Sequence, residues 1–394
     1  MAIKLLHQMG HNSIWNKDSF EKDGVGVGLC YSPVHETAKN INATKKQLKE
    51  TSIFDPQFYL PSSQKKKFQT YDFFPNTILG EKGFNTVDYT AISSESAKRC
   101  VDFQIKNNFE KIIIPARFYE QIHPKYIEHQ SESYVIPFIN YIKKVGVNNR
   151  KEIILTVPIT SGMLNVEEYK VNILNWITSF PEISGVYFIC QHDRPSKQVS
   201  DTSFLIDYMD TIKSTIDADL SVIVGYTNTE SILYTLCGDL SVTVGAFENT
   251  RIFSLDKFIV SDEDRRGPKP RIYMPALLNW VNFEEAKLLR KARPELWRKI
   301  YNPTSYSEDA LNATTTITFQ NPLLYKHYFI AFNEQIKKIS EYSINQRSVY
   351  VKSLIEEALK NYSEIKKVFT LEKNGSDEHL IPWLNAIKLF SERR

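Results

Sequence analysis

Eight short runs rich in β-branched and aromatic residues recur along this chain with helical periodicity between them, and that alternation restricts the fold more than any motif does. The runs are GVGLCYSP from Gly26, SIFDPQFYL from Ser52, KIIIPARF from Lys111, EIILTVPIT from Glu152, GVYFICQH from Gly185, LSVIVGYTN from Leu220, LSVTVGAFEN from Leu240 and RIYMPALLN from Arg271. Several are apolar without strict alternation, the pattern of strands buried on both faces of a parallel sheet. Between them, Ala97, Cys100, Val101 and Ile105 share one helical face; Val166, Tyr169, Ile173, Leu174 and Ile177 share another; Leu205, Tyr208, Met209, Ile212 and Ile216 share a third. Strands alternating with helices predict an α/β fold, and eight of them predict a (β/α)8 barrel of the TIM type. A doubly wound sheet would ordinarily open with a glycine-rich turn into a helix. Here Gly24, Gly26 and Gly28 lack phosphate-cradling spacing and read as close backbone packing or a bend, leaving an open mixed sheet as the structural alternative. On this count the opening segment IKLLHQMGHNSIW is a lid or hairpin at one end of the barrel.

At 394 residues the chain exceeds the roughly 250 of such a barrel and has room for an extra module. FEEAKLLRKARPELWRKIY, from Phe283, reads as the barrel's last helix, which assigns residues 1–301 to the barrel with its lid and 302–394 to a linker and a C-terminal helical module packed on it. In that module Tyr325, Tyr328, Phe332, Ile336 and Ile339 share a face, as do Val351, Leu354, Ile355, Ala358, Tyr362, Ile365 and Phe369. Such stripes serve either as a docking surface for a protein partner or second protomer, or as a cap folded on the barrel. The face of Leu354, Ala358, Tyr362 and Ile365 is expected to pack mainly on its own chain.

With 42% hydrophobic and 24% charged residues the chain can bury a large core, and a net charge of +3 by itself argues for neither nucleic acid nor membrane. No window approaches eighteen apolar residues, so a protein of the cytoplasm, with no membrane span, is expected. Cys30, Cys100, Cys190 and Cys237 are far apart and form no CxxC pair, and the histidines are scattered. Buried thiols, no metal and no cofactor follow as expectations.

Active sites of this fold lie at the C-terminal ends of the strands, so the residues ending each run form one pool. It contains Asp55, Gln57 and Tyr59 after the second run; Arg117 after the third; Gln191, His192, Asp193 and Arg194 after the fifth; Tyr226 and Asn228 after the sixth; Glu248, Asn249 and Arg251 after the seventh; and Asn279 after the eighth. QHDRP combines a base, a carboxylate to tune it and a guanidinium for an anion, although the same residues also make a good turn in which the Arg pairs with the Asp. Asp55 and Glu248 are either a carboxylate pair for glycosyl chemistry or salt-bridge partners of Arg117 or Arg251. There is no HxH on the first run for a binuclear metal site and no Lys inside a strand for a Schiff base.

VTVGAFE, from Val242 to Glu248, on a barrel with a trailing helical module resembles the tRNA-guanine transglycosylase superfamily, whose cysteine-rich zinc site this chain lacks. The resemblance implies that Asp55 or Asp193 attacks an anomeric carbon while Glu248 contacts a purine-like base. Together the residues suggest an enzyme acting on a nucleoside, nucleotide or other glycosyl-containing substrate, small or derived from nucleic acid, by carboxylate acid/base or nucleophilic chemistry. In that reading Asp55, Asp193, Glu248 and His192 are catalytic, Arg117, Arg194 and Arg251 bind the anion, and Gln191, Tyr226, Asn228, Asn249 and Asn279 orient the substrate. The competing expectation is a non-catalytic barrel that joins a larger complex through its helical tail.

Overall fold

The computed structural model describes residues 2–80, 86–192, 194, 196–260 and 267–393. Eight parallel strands form one sheet: β1 (Lys4–Gln8), β2 (Gly28–Tyr31), β3 (Ile53–Phe54), β4 (Ile112–Ile114), β5 (Ile153–Thr160), β6 (Gly185–Gln191), β7 (Ser221–Val224) and β8 (Ser241–Gly245). Their order, β3-β2-β1-β8-β7-β6-β5-β4, is the cyclic order of a barrel. The sheet's two ends meet where the Glu110 amide, just before β4, donates to the Ser52 carbonyl, just before β3, at 2.9 Å. The result is a nearly closed (β/α)8 barrel with a C-terminal helical extension.

The strands form where β-branched and aromatic side chains can be enclosed on both faces; all eight residues of β5 are buried. Helices cover the outside, among them Ile14–Asp23 and, with one apolar stripe each, Thr86–Lys106, Ile136–Val145, Glu167–Thr178 and Thr202–Asp217. In the last of these Leu205, Tyr208, Met209 and Ile212 are buried. The glycines of the first run do serve close packing. A Cβ on Gly28 would stand 1.8 Å from the Thr51 carbonyl oxygen, and Gly26 holds φ +74°, where a side chain is strained.

Two strand assignments are corrected. The opening segment is not a lid: Lys4–Gln8 is β1, pairing in parallel with both β2 and β8. Its polar half disguised it, yet His7 and Gln8 are 0% and 1% exposed, because His7 is tied to the Val25 carbonyl and Asn16 while Gln8 turns toward Cys30 and Tyr187 inside the barrel. Conversely, RIYM is not the eighth barrel strand. Arg271–Met274 is β9, which pairs antiparallel with β10 (Asn279–Asn282) across the Pro275–Leu277 turn. Leu278, at φ +52°, takes the left-handed conformation that lets the chain reverse there.

This hairpin receives the tail. The Leu323–Ser340 helix packs on β9 and on the Ile14–Asp23 helix, Ile344–Lys366 packs on the Pro275–Leu277 turn, and Leu380–Glu392 packs on Thr202–Asp217. Val351, Ile355, Ala358, Tyr362 and Ile365 are at most 1% exposed within the chain, and Leu354 is half-buried. The Trp383 indole N–H donates to the Val199 carbonyl at 2.7 Å, fastening the last helix to the segment that follows β6.

Candidate active site at the C-terminal mouth

Asp55 follows β3 directly, its amide donating to the Tyr31 carbonyl at 2.9 Å, so the strand ladder aims the side chain into the barrel's C-terminal end. It is 1% exposed. The Tyr59 hydroxyl donates to both carboxylate oxygens, at 3.0 and 2.9 Å, and the Gln57 amide donates to Oδ1 at 3.0 Å. The Gln57 side chain in turn donates to the Tyr226 hydroxyl at 2.9 Å. Gln57 and Tyr226, neither a glycine, both hold left-handed backbone, at φ +56° and +55°. Two such outliers joined by one hydrogen bond mark a position at which local strain is retained by the surrounding fold.

Burial pushes the Asp55 carboxyl up to about 7, against the opposing pull of the Tyr59 and Gln57 hydrogen bonds and of nearby Lys257. Lys257, on the Leu255–Phe258 turn, is half-buried, with its ammonium 3.6 Å from the centre of the Tyr226 ring and 5.5 and 5.9 Å from those of Phe258 and Phe253. Desolvation lowers it to about 7, with Asp55 pulling the other way. A carboxyl after β3 and an amine after β8, both brought toward neutrality at one end of the barrel, are what acid/base chemistry at pH 7 requires.

Three cavities meet at Glu248; Lys257 lines one of them, and Asp55 lines none. One, of about 570 Å³, is lined by Phe247, Trp280, Phe319 and Tyr325 together with Lys197, Arg251, Lys269 and Arg271. A second, of about 430 Å³, is lined by Gln191, His192, Arg194, Lys197 and Ser254, among others. A third, of about 660 Å³, includes His11, His35, Lys65, Lys67, Asp256 and Lys257. The first and second share Lys197, the first and third share His11 and Asn249, and the second and third share Ile252 and Ser254, so the cavities form one groove. Its walls carry eight Lys and Arg side chains against two carboxylates, Glu248 and Asp256, among the described residues.

The sequence-selected residues divide among distinct places. Glu248, on a 3-10 turn after β8, is ion-paired with Lys197 and is 41% exposed in its side chain. His192 stacks flat on Phe204, with ring centres 4.0 Å apart. Arg194 is drawn inward to Glu230 at 3.1 Å, and the same Glu230 oxygen accepts from the Asn228 amide, so Arg194 and Asn228 come together on a carboxylate rather than on open solvent. Arg251 is 6% exposed; it donates to the carbonyls of Gly245 and Ala246 and lies 4.0 Å from the centre of the Trp280 ring system. Asn249 lines the groove, and its carbonyl accepts from Lys257 at 2.9 Å. Arg117 lies over the Tyr119 ring, and its backbone is held at both ends by the Gln130 side chain. Asn279 belongs to the β9–β10 hairpin, where it binds Tyr362, Ser376 and Gln198. Asp193 lies outside the described residues.

Lys257, Lys197, Arg271 and Trp280 are functional candidates that the run-end rule missed. The only trace of the first is a lysine bracketed by phenylalanines in RIFSLDKF. Among the described residues no group of three or more His, Cys, Asp or Glu is placed to hold a metal ion, and no helix is long and apolar enough to cross a membrane. Compared with protein-family models, with curated proteins and with solved structures, the chain finds no match.

Proposed function

We propose that this protein is an enzyme acting on a phosphorylated nucleoside or other glycosyl-containing substrate, held in the groove around Glu248 with Asp55 as its acid/base group. The observation that carries the reading is the groove's composition: a cation-rich channel with an aromatic wall that reaches Lys257, behind which the buried Asp55 carboxyl is held near neutrality. Phosphate oxygens would displace Glu372 from Lys269 and Arg271 and Glu248 from Lys197, and a flat ring would lie along the wall of Phe247, Phe319 and Tyr325. Such a ring includes the purine-like base implied by the transglycosylase resemblance. Asp55, with both oxygens covered by Tyr59, is better suited to holding and releasing a proton than to attacking carbon. The alternative, an assembly subunit docking through its tail, draws little support from stripes that are already buried on their own chain.

Isothermal titration of the full chain with AMP, ribose 5-phosphate and adenosine tests the reading. Binding should require the phosphate and weaken as salt rises. In Arg271→Gln it should fall by about tenfold, the loss of one charge-assisted contact. Equal binding of adenosine and AMP, or no binding of any phosphate ester, would refute it.

A further inference from the structure

We infer that Lys257 is an amine nucleophile, forming an imine with the aldehyde or ketone carbon of a phosphate-bearing substrate that occupies the cavity beside it. The inference rests on the reading of the mouth as an anion groove and adds to it a covalent step. Lys257 is set among rings, with Tyr226 beneath it and Phe253 and Phe258 alongside. Lys197, by contrast, is ion-paired with Glu248. Among the described residues no carboxylate lies within ion-pair distance of Lys257; its ammonium has one hydrogen-bond acceptor, the Asn249 carbonyl at 2.9 Å. No described carboxylate holds the nitrogen as an ammonium, and the rings set it partly in an apolar surrounding, which favours the free amine. Its depressed basicity, to about 7, agrees with that geometry.

The cavity beside it is also suitable. Its volume of about 660 Å³ admits a small sugar phosphate, and Lys65, Lys67 and His11 on its walls offer the phosphate a seat away from the amine. The step needs no outside oxidant or reductant. The nitrogen lone pair of the free amine forms a bond to the carbonyl carbon while the C=O π pair moves to oxygen, which takes up a proton as the nitrogen gives one up. The resulting hydroxyl then leaves as water, with one further proton, and C=N remains. No residue inside a strand is required; the amine comes from the turn after β8.

Borohydride trapping tests this. The full chain is incubated at neutral pH with glyceraldehyde 3-phosphate or with unphosphorylated glyceraldehyde, reduced with sodium borohydride, digested and mapped by mass spectrometry. The phosphorylated aldehyde should label Lys257 at least about tenfold more than Lys65 or Lys67, since an ordinary lysine is almost wholly protonated at that pH. The Lys257→Arg variant, with a melting temperature close to wild type, should lose the dominant label. Labelling of Lys257 no greater than that of Lys65 and Lys67 would overturn the inference, and the wild-type map decides this even if the variant does not fold. The two readings fail separately: AMP binding without preferential labelling removes the imine and leaves the groove, whereas preferential labelling that ignores the phosphate keeps the amine and removes the groove.

Discussion

Two of the polar clusters among the described residues, one at the seam and one at the mouth, separate architecture from chemistry by their contrast. At the seam between hairpin and tail, the Asn279 side chain accepts from Gln198 and from the Trp280 amide and donates to the Tyr362 hydroxyl and the Ser376 carbonyl, while the Trp280 indole donates to Asn228. These side chains are neutral and mutually satisfied, as buried polar groups are when they specify packing. At the mouth, Asp55 and Lys257 are ionisable, displaced from their ordinary values in opposite directions, and attached to two residues in left-handed backbone. A satisfied neutral network stabilises a fold, whereas a desolvated ionisable pair costs stability and persists where something else is gained.

The largest test of the seam is to remove what it holds. Ending the chain after Asn345 deletes the faces of Val351, Ile355, Tyr362, Ile365 and Trp383, and each enclosed large side chain contributes roughly 1.5–3 kcal/mol. Their sum rivals the whole stability of a domain, so the truncated protein should fail to give a cooperative melting transition. A truncated barrel that melts like the full chain would reduce the seam to a surface contact.

Acid should act next, and it acts with opposite signs in different places. Burial holds His7, His327 and His379 down to about 4, so between about pH 4 and 6.5 the unfolded chain binds more protons at these sites and stability rises with pH. Each histidine contributes on the order of 3 kcal/mol over that window. Asp55, raised to about 7, binds its proton more tightly when folded and makes stability fall as pH rises from about 4 to 7. Burial also holds His35 well below its ordinary value, so with four histidines against one carboxyl denaturant midpoints should climb from about pH 4 to 6.5; a flat or falling profile would contradict the assignment of buried neutral histidines.

A smaller effect is expected from Asn279→Ala, which leaves Gln198 and the Trp280 amide without their acceptor. A loss of about 2–4 kcal/mol follows from the orphaned buried groups, read as a lower denaturant midpoint with ligand binding by the folded fraction unchanged. If the variant kept its stability and lost AMP binding, Asn279 would belong to the mouth after all.

Much of the barrel could be read from the sequence because β2 to β8 are carried by apolar, β-branched runs whose period differs plainly from that of the helices. β1 escaped because His7 and Gln8 look like surface residues until their partners, Val25, Asn16, Cys30 and Tyr187, are in place. β9 resembled a core strand because a covered hairpin needs the same side chains. Of the candidate residues, Asp55 lies where a strand end places it, directly after β3 and before a proline. Arg194 was drawn away by Glu230, 36 residues distant, and Asn228 and Asn279 by the seam; such long-range pairings leave no local pattern. Lys257 stayed hidden because its environment is assembled from Tyr226 and two phenylalanines brought together only by the fold.

The central claim is that the mouth retains a buried carboxyl for chemistry at a cost in stability, and the stability of Asp55→Asn against pH tests it most directly. An amide keeps the shape and still accepts from Gln57, but it never carries the desolvated charge. Chemical denaturation should therefore show the variant near wild type at or below about pH 4 and increasingly more stable between about pH 4 and 7, reaching roughly 4 kcal/mol at pH 8, while ligand turnover is lost. A variant that is less stable than wild type at pH 8 would make Asp55 a structural anchor and contradict the account.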